Sequence, residues 1–283
     1  MWTLLLTNSE RVINTIDLNT LYSNWSKKSP AEIAYDIEAS CEKAEIAFGL
    51  LDRVDTGQIK SVLEMGSGFG KGLHTIANKS DSSCGLGVDF SQEAVEYAKK
   101  HYEGDKIKFI RTDSLDIKLT VDQIRKLYPD CFDITILFDV LEHIPKPKTF
   151  VRELAAISKF FLINLPLDNT ILNNYVRSIG PGTYPSILHG DGHLREFTVN
   201  DVHKFVTSLG LTPLSFQFYQ YSINNVYPNH LKPSNFKGVI SNKILKAIFL
   251  ATRHLVPLRA KLRLFNGGAF MCLAEWSSSL VLE

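Results

Sequence analysis

Four glycines alternate behind a glutamate in the stretch Val62-Leu63-Glu64-Met65-Gly66-Ser67-Gly68-Phe69-Gly70-Lys71-Gly72. Glycine lets a backbone come close to a ligand and take turns that a Cβ forbids. The stretch lies between an apolar run and a helical segment, which is where doubly wound sheets open their ligand crevice. It does not carry the pyrophosphate fingerprint G-x-G-x-x-G. Counted from Gly66 the third glycine falls on Lys71, and counted from Gly68 it falls on Leu73. The spacing is E-x-G-x-G-x-G, and Glu64 places a carboxylate at the crevice mouth. A pyrophosphate is repelled there, whereas a ligand with a cationic end is favoured.

Two more carboxylates end the next apolar runs. Asp89, in Gly87-Val88-Asp89-Phe90-Ser91, stands about 20 residues past the loop, where a carboxylate accepts hydrogen bonds from ribose hydroxyls. Asp113, in Arg111-Thr112-Asp113-Ser114, is placed to accept from an adenine amino group. Either aspartate could instead cap the helix that follows it, which is the commonest fate of an aspartate there. Candidate bases are histidines near the strand ends. His143 follows the fourth apolar run, and His189 and His193 lie in Leu188-His189-Gly190-Asp191-Gly192-His193-Leu194-Arg195. An imidazole titrates close to neutral pH and suits proton abstraction.

These residues need a scaffold. Apolar runs at Val62–Met65, Cys84–Val88, Ile107–Ile110, Phe132–Phe138 and Phe160–Leu165 alternate with helical segments near 71–78, 91–102, 119–128 and 147–158. Strand–helix alternation on this spacing implies right-handed crossovers and a parallel sheet covered by helices on both faces. Near-continuous apolar strands fit a sheet buried on both sides. Thr198 with Asp201 resembles a capping box for a helix over 198–209 that Gly210 ends. Leu214–Tyr221 and Ala269–Trp276 read as two further strands. Upstream, Ser29 and Pro30 start a helix over 30–52 with Ile33, Ile37, Cys41, Ala44, Phe48 and Leu51 on one face.

In this setting the chain resembles class I S-adenosylmethionine-dependent methyltransferases, the group with a Methyltransf_11/23-type domain. The matching segments are the glycine motif, Gly87–Ser91, Asp113-Ser114 and Asp139-Val140-Leu141-Glu142-His143-Ile144-Pro145, within roughly residues 60–221. The resemblance implies an α/β, doubly wound, seven-stranded mostly parallel sheet whose last strand is antiparallel. It implies S-adenosyl-L-methionine as cofactor and in-line methyl transfer. Glu64, Gly66, Ser67, Gly68 and Gly70 then face the amino-acid part of the cofactor. Asp89 holds the ribose, Phe90 packs on the adenine, Asp113 and Ser114 read its edge, and Phe138 lines the sulfonium. His143 and His193 are the candidate catalytic bases.

The segment Asp139-x-x-Glu142-His143 with a downstream histidine is also similar to the metal-binding E-x-x-E-H…H pattern of some small-RNA and quinone-ring O-methyltransferases. Here an aspartate, with a shorter arm, replaces the first glutamate. The expectation is that these side chains fix the loop through hydrogen bonds and that no metal binds.

The 283 residues carry 31 lysines and arginines against 30 acids, which gives no case for a nucleic-acid partner. Residues 222–283 hold eight basic residues and only two acids. Such an asymmetry hints at an anionic partner. Residues 242–256 are amphipathic, with Lys243, Lys246 and Arg253 on the polar face. That face either is solvated over a cap of the acceptor site or meets an anionic membrane surface through 243–263. The expected organisation is an N-terminal helical lid (1–58), a cofactor-binding core (59–221), the basic insert (222–266), and the last strand with a tail (267–283). Four scattered cysteines without a C-x-x-C pair, and the absence of a signal-like leader, fit a cytoplasmic, reducing location. The acceptor is expected to be small-molecule, lipid-linked or glycan-type. The alternatives are a nicotinamide-dependent oxidoreductase and a non-catalytic cofactor-binding module of the same fold.

Overall fold

The computed structural model describes residues 28–112, 116–171, 193–222, 255–264 and 268–277, with positions 174, 247 and 251. Asp113, Ser114 and His189 lie outside the described residues, as does most of the basic insert, Lys243, Lys246 and Arg253 included.

Helix α1 (Pro30–Leu51) starts as its first residues dictate. The Ser29 hydroxyl accepts from the Glu32 amide while the Glu32 carboxylate accepts from the Ser29 amide at 2.7 Å, and Pro30 needs no partner in the first turn. Five strands alternating with four helices follow. They run β1 (Ser61–Met65), α2 (Lys71–Lys79), β2 (Cys84–Asp89), α3 (Gln92–Tyr102), β3 (Ile107–Arg111), α4 (Ile117–Leu127), β4 (Phe132–Phe138), α5 (Pro147–Ala155) and β5 (Ser158–Leu167). The chain ends in α6 (Val202–Ser208), β6 (Leu211–Gln220), α7 (Leu258–Leu264) and β7 (Gly268–Trp276).

The seven strands lie in the order β3-β2-β1-β4-β5-β7-β6. Strands β1 to β5 pair in parallel, and β7 runs antiparallel between β5 and β6. The order reverses between β1 and β4, so the loops after β1 and β4 part there and open a crevice at the strand ends. Strand residues alternate between two cores. Leu63, Met65, Leu86, Val88 and Leu137 pack with Val121, Ile124, Val151 and Leu154 from α4 and α5. Val62, Ile134, Ile136 and Phe138 pack with Ala44, Leu50, Leu73, Ile76, Val95 and Ala98 from α1, α2 and α3. Glu64 shares the pleat face of Val62 and therefore points beneath α2.

Two expectations shift. The helix expected over 198–209 begins at Val202, because the Thr198 hydroxyl accepts from the Asn200 amide and ends up in a turn. Only the reverse half of the box forms, from the Thr198 amide to the Asp201 carboxylate at 2.7 Å. On α1 the buried stripe is Ala39, Ala44, Ala47, Leu50 and Leu51, while Ile33, Ile37, Cys41 and Phe48 are only half-buried. Small side chains let α1 sit close on α2 and the sheet, and this rotation turns Glu32, Asp36, Ser40 and Lys43 toward the crevice.

Candidate functional site

One cavity of about 1000 Å³ opens over the carboxyl ends of β1, β2 and β4 beneath α1. Glu64, Gly66, Ser67, Gly68, Asp89, Phe90 and Phe138 line it, and so do His143 and His193, so the sheet gathers most of the expected site residues in one place. Gly70 is the exception. It begins α2 behind the loop at φ 84°, where an added Cβ would lie 2.7 Å from Phe109 and 2.8 Å from Ala98. Its role is to let the helix start against the core.

Four of the loop's amides are spent inside the protein. Those of Gly66 and Ser67 donate to the Val88 carbonyl, that of Gly70 donates to the Ser67 carbonyl, and that of Gly68 donates to Asp89 at 2.7 Å. An anion at a helix N-terminus needs free amides, so this loop is poorly equipped for a pyrophosphate. Gly68 has φ 49°, and nothing stands within 4 Å of where its Cβ would be. The backbone there is a bare shelf facing the cavity. The Ser67 hydroxyl beside it is buried without a hydrogen-bond partner.

Asp89 does not cap α3. Ser91 does, accepting from the Ala94 amide, while Asp89 accepts from the amides of Gly68 and Ser91. A carboxylate has about four acceptor positions, so it retains capacity toward the cavity. Burial raises the Asp89 pKa above its ordinary value, against the lowering effect of those amides. Glu64 is 3% exposed and accepts from the Leu73 amide at 2.7 Å, thereby capping α2 from the neighbouring strand. Desolvation pushes it up to about 8, with Asp89 adding to the rise and the Leu73 amide and Lys43 opposing it.

The site also contains a group that sequence reasoning missed. Lys43 of α1 forms an ion pair with Asp139, the residue directly after β4, and lies 5.7 Å from the Tyr221 ring centre. Asn164 of β5 donates to both Asp139 and the Tyr221 hydroxyl and accepts from the Tyr219 hydroxyl at 2.7 Å. This network ties α1, β4, β5 and β6 together at the cavity floor. Asp139 holds φ 53°, a left-handed conformation uncommon outside glycine, at the crevice itself. The available signal was the polar series Glu32, Asp36, Ser40, Lys43, which runs along one face of the helix, although Glu38, Glu42 and Glu45 on the same helix dilute it.

Beyond β4, the loop carrying Glu142 and His143 is stitched to the segment carrying His193. The Leu194 amide donates to the Glu142 carbonyl at 2.9 Å, and the Arg195 guanidinium donates to the carbonyls of Ile144 and Pro145. The two imidazoles meet edge to face with centres 4.8 Å apart, and His193 Nδ1 lies 2.8 Å from an Asp168 oxygen. The loop-fixing hydrogen bonds expected of Glu142 do not form. Its carboxylate is fully buried, and neither oxygen has a hydrogen-bond partner. Burial and the nearby Asp139 charge hold its pKa well above the carboxylate range, with His193 opposing.

Comparison with known proteins agrees with this geometry. Residues 58–165 match the Methyltransf_31 family, described as a methyltransferase domain. The ubiquinone biosynthesis O-methyltransferase of Coxiella burnetii is 30% identical over 100 residues, which are 35% of this chain and 39% of that protein. The chain thus matches about two fifths of the length of the curated relatives. The crystal structure of the plantazolicin methyltransferase BamL, in complex with a desmethylPZN analog and SAH, superposes with TM-score 0.54 at 16% identity, covering 96% of this chain and 98% of that one. Magnesium protoporphyrin IX methyltransferase from Synechocystis PCC 6803, with bound SAH, gives 0.51 at 13% identity, covering 92% and 93%. At these identities the likeness establishes the fold: a Rossmann-like methyltransferase sheet, mostly parallel, with an antiparallel β7.

Proposed function

We propose, from the premise that residues 58–165 are a class I S-adenosylmethionine-dependent methyltransferase domain, that the whole chain methylates a small-molecule, lipid-linked or glycan-type acceptor. The observation that carries this reading is the carboxyl-lined cradle. Glu64 and Asp89 are buried at successive strand ends, over a glycine loop whose amides are turned inward. That surroundings favours a cation over a pyrophosphate, and it argues against the nicotinamide alternative. When bound, S-adenosylmethionine supplies a methyl group on a cationic sulfonium, so the protein's share is binding, orientation and electrostatics.

In this reading Asp89 accepts from the ribose hydroxyls and Phe90 packs on the adenine. The Gly66–Gly68 shelf and Glu64 receive the amino-acid end, and Phe138 walls the sulfonium side. Asp113 and Ser114, outside the described residues, keep the adenine edge on the resemblance alone. The acceptor occupies the remainder of the cavity, between α1 and the His143–His193 pair, where any proton it gives up is handled. Holding both reactants in line accounts for several kcal/mol of the barrier. The helix α1 is the lid of the expected organisation, and Lys43 pins it to the core. No helix among the described residues is long and apolar enough to cross a membrane. The charge asymmetry supports peripheral contact of 243–263 with an anionic surface, and the four free cysteines support a reducing, cytoplasmic location. Co-sedimentation with acidic and neutral vesicles tests that contact, and equal binding to both would remove it.

The test of the reading is a melting curve. S-adenosylmethionine or SAH at about 100 times its dissociation constant adds about 2.7 kcal/mol to stability and raises Tm, whereas NAD and NADP leave it unchanged. A rise with NAD alone would overturn the assignment. Acceptor screening with labelled cofactor, read by mass spectrometry, then distinguishes an enzyme from a binding module.

A further inference from the structure

Arg195 is a cation without a counter-ion. Its guanidinium donates through Nη1 to the Ile144 carbonyl and through Nη2 to the Pro145 carbonyl, both neutral acceptors. No carboxylate pairs with it among the described residues. Burial lowers its pKa, and no acid opposes the shift. A half-buried charge left without an opposite charge is costly. A guanidinium has five N–H donors, so several remain unused here, that of Nε among them.

The two residues that anchor this guanidinium belong to the cavity. Ile144 and Pro145 line it, and so does Lys146, which follows them directly and precedes α5. Lys146 is exposed and has no ion-pair partner among the described residues. Thr149 adds a hydroxyl-bearing residue to the same wall, and Ile144, Pro145 and Phe150 give it apolar surface. The acids of the lining come from α1, α3, the ends of β1, β2 and β4, and the start of α4, whereas the stretch from Val140 to Phe150 contributes none. Glu142 lies within that stretch but is fully buried away from the cavity. The cavity is therefore electrically divided. Carboxyls surround the cofactor end, and cations without partners stand along the loop after β4.

We propose that Lys146 and Arg195 form an anion subsite at the acceptor end of the cavity, and that the acceptor carries a carboxylate or phosphate group which this pair receives. Resting on the methyl-transfer reading, which places the acceptor beside the His143–His193 pair, the subsite narrows the acceptor to anionic compounds. The planar guanidinium matches the oxygens of either group, and the lysine adds a flexible point charge. The apolar body of the acceptor then packs on Ile144, Pro145 and Phe150. Anchoring one end by charge fixes which acceptor atom lies toward the methyl group, so Lys146 and Arg195 orient the acceptor and take no part in bond making. A neutral compound of the same shape leaves the Arg195 charge unpaired and is rejected.

The experiment titrates the full chain, saturated with SAH, with benzoate and phenyl phosphate by calorimetry, and with benzamide as the neutral control. At least one anion should bind once per chain, about tenfold or more tightly than benzamide, and high salt should weaken it. The stronger of the two anions tells a carboxylate from a phosphate. Lys146→Glu, a change at an exposed position, should weaken that anion by about tenfold or more while SAH binding and Tm stay as in the wild type. Arg195→Gln should weaken the anion as well, and Arg195→Lys, which keeps the charge without the planar fork, should recover only part of the loss. SAH affinity is read in its own titration and the anion series is repeated without SAH, so failure of the methyl-transfer reading and failure of the subsite are distinguishable. No binding of either anion, equal binding of benzamide, or anion binding indifferent to Lys146→Glu or to Arg195→Gln would each overturn the proposal.

Discussion

Replacing Glu64 by glutamine is expected to make the ligand-free protein more stable at alkaline pH and to leave it unchanged in acid. Burial pushes Glu64 from the ordinary 4.5 up to about 8. Between those values the folded chain keeps a proton that the unfolded chain has released. The stability this contributes is complete below the unfolded value, declines as pH rises, and is lost as pH passes through about 8. At 1.36 kcal/mol per pH unit the gap corresponds to about 5 kcal/mol, an upper figure because water entering the cavity relaxes the penalty. Glutamine imitates the protonated acid and its carbonyl still accepts from the Leu73 amide, so the cap on α2 survives the change. Urea unfolding at pH 5, 7 and 9 measures the effect. The variant and the wild type should differ by less than about 1 kcal/mol at pH 5 and separate by about 2–5 kcal/mol at pH 9. The burial of Asp89 and Glu142 acts in the same direction in both proteins, so the difference reports Glu64 together with its coupling to Asp89. Parallel stability curves across this range would refute the reasoning. Under the proposed function the wild type should also bind S-adenosylmethionine more tightly as pH rises toward 8, by at most tenfold per pH unit, and Glu64→Gln should flatten that rise.

Asp89→Ala should weaken cofactor binding by about 1.5–3 kcal/mol, the range for hydrogen bonds to a charged group. Calorimetry reads it, and unchanged affinity would reduce Asp89 to an anchor for Gly68. Lys43→Met strands Asp139 without its cation. Since the Asp139 side chain is 29% exposed, the cost should fall below that of a fully buried pair, at about 2–3 kcal/mol by denaturant unfolding. Proteolysis should also become faster within α1, and an unaltered α1 would show that the ion pair does not pin the lid. Gly70→Ala combines a positive φ with contact against Phe109 and should cost about 2–5 kcal/mol, visible as a lowered Tm.

Much of this protein is legible without coordinates. Alternation of apolar runs with helical segments gave the order of elements, since a strand buried on both faces has little choice of composition. The strand bounds at Phe132–Phe138 and the start of α1 at Ser29-Pro30 follow from apolar pattern and cap chemistry, which act over a few residues. The E-x-G-x-G-x-G spacing departs from the pyrophosphate fingerprint, and the inward-turned amides of Gly66, Ser67, Gly68 and Gly70 agree with that departure.

What the sequence could not supply is whatever depends on residues distant along the chain. Gly70 looks equivalent to Gly66 and Gly68 in a string of letters, yet it packs on Phe109 and Ala98, while Gly68 faces the cavity. Lys43 reads as one more helix-surface lysine until Ala39, Ala44 and Ala47 decide which face of α1 meets the sheet. Asp139 and Glu142 stand three residues apart in one motif, but the fold hands the first to Lys43 and Asn164 and leaves the second buried beside two histidines. Local chemistry selects elements within a few residues. Only the closure of the sheet, which brings position 43 to 139 and position 142 to 193, determines which charged groups become partners.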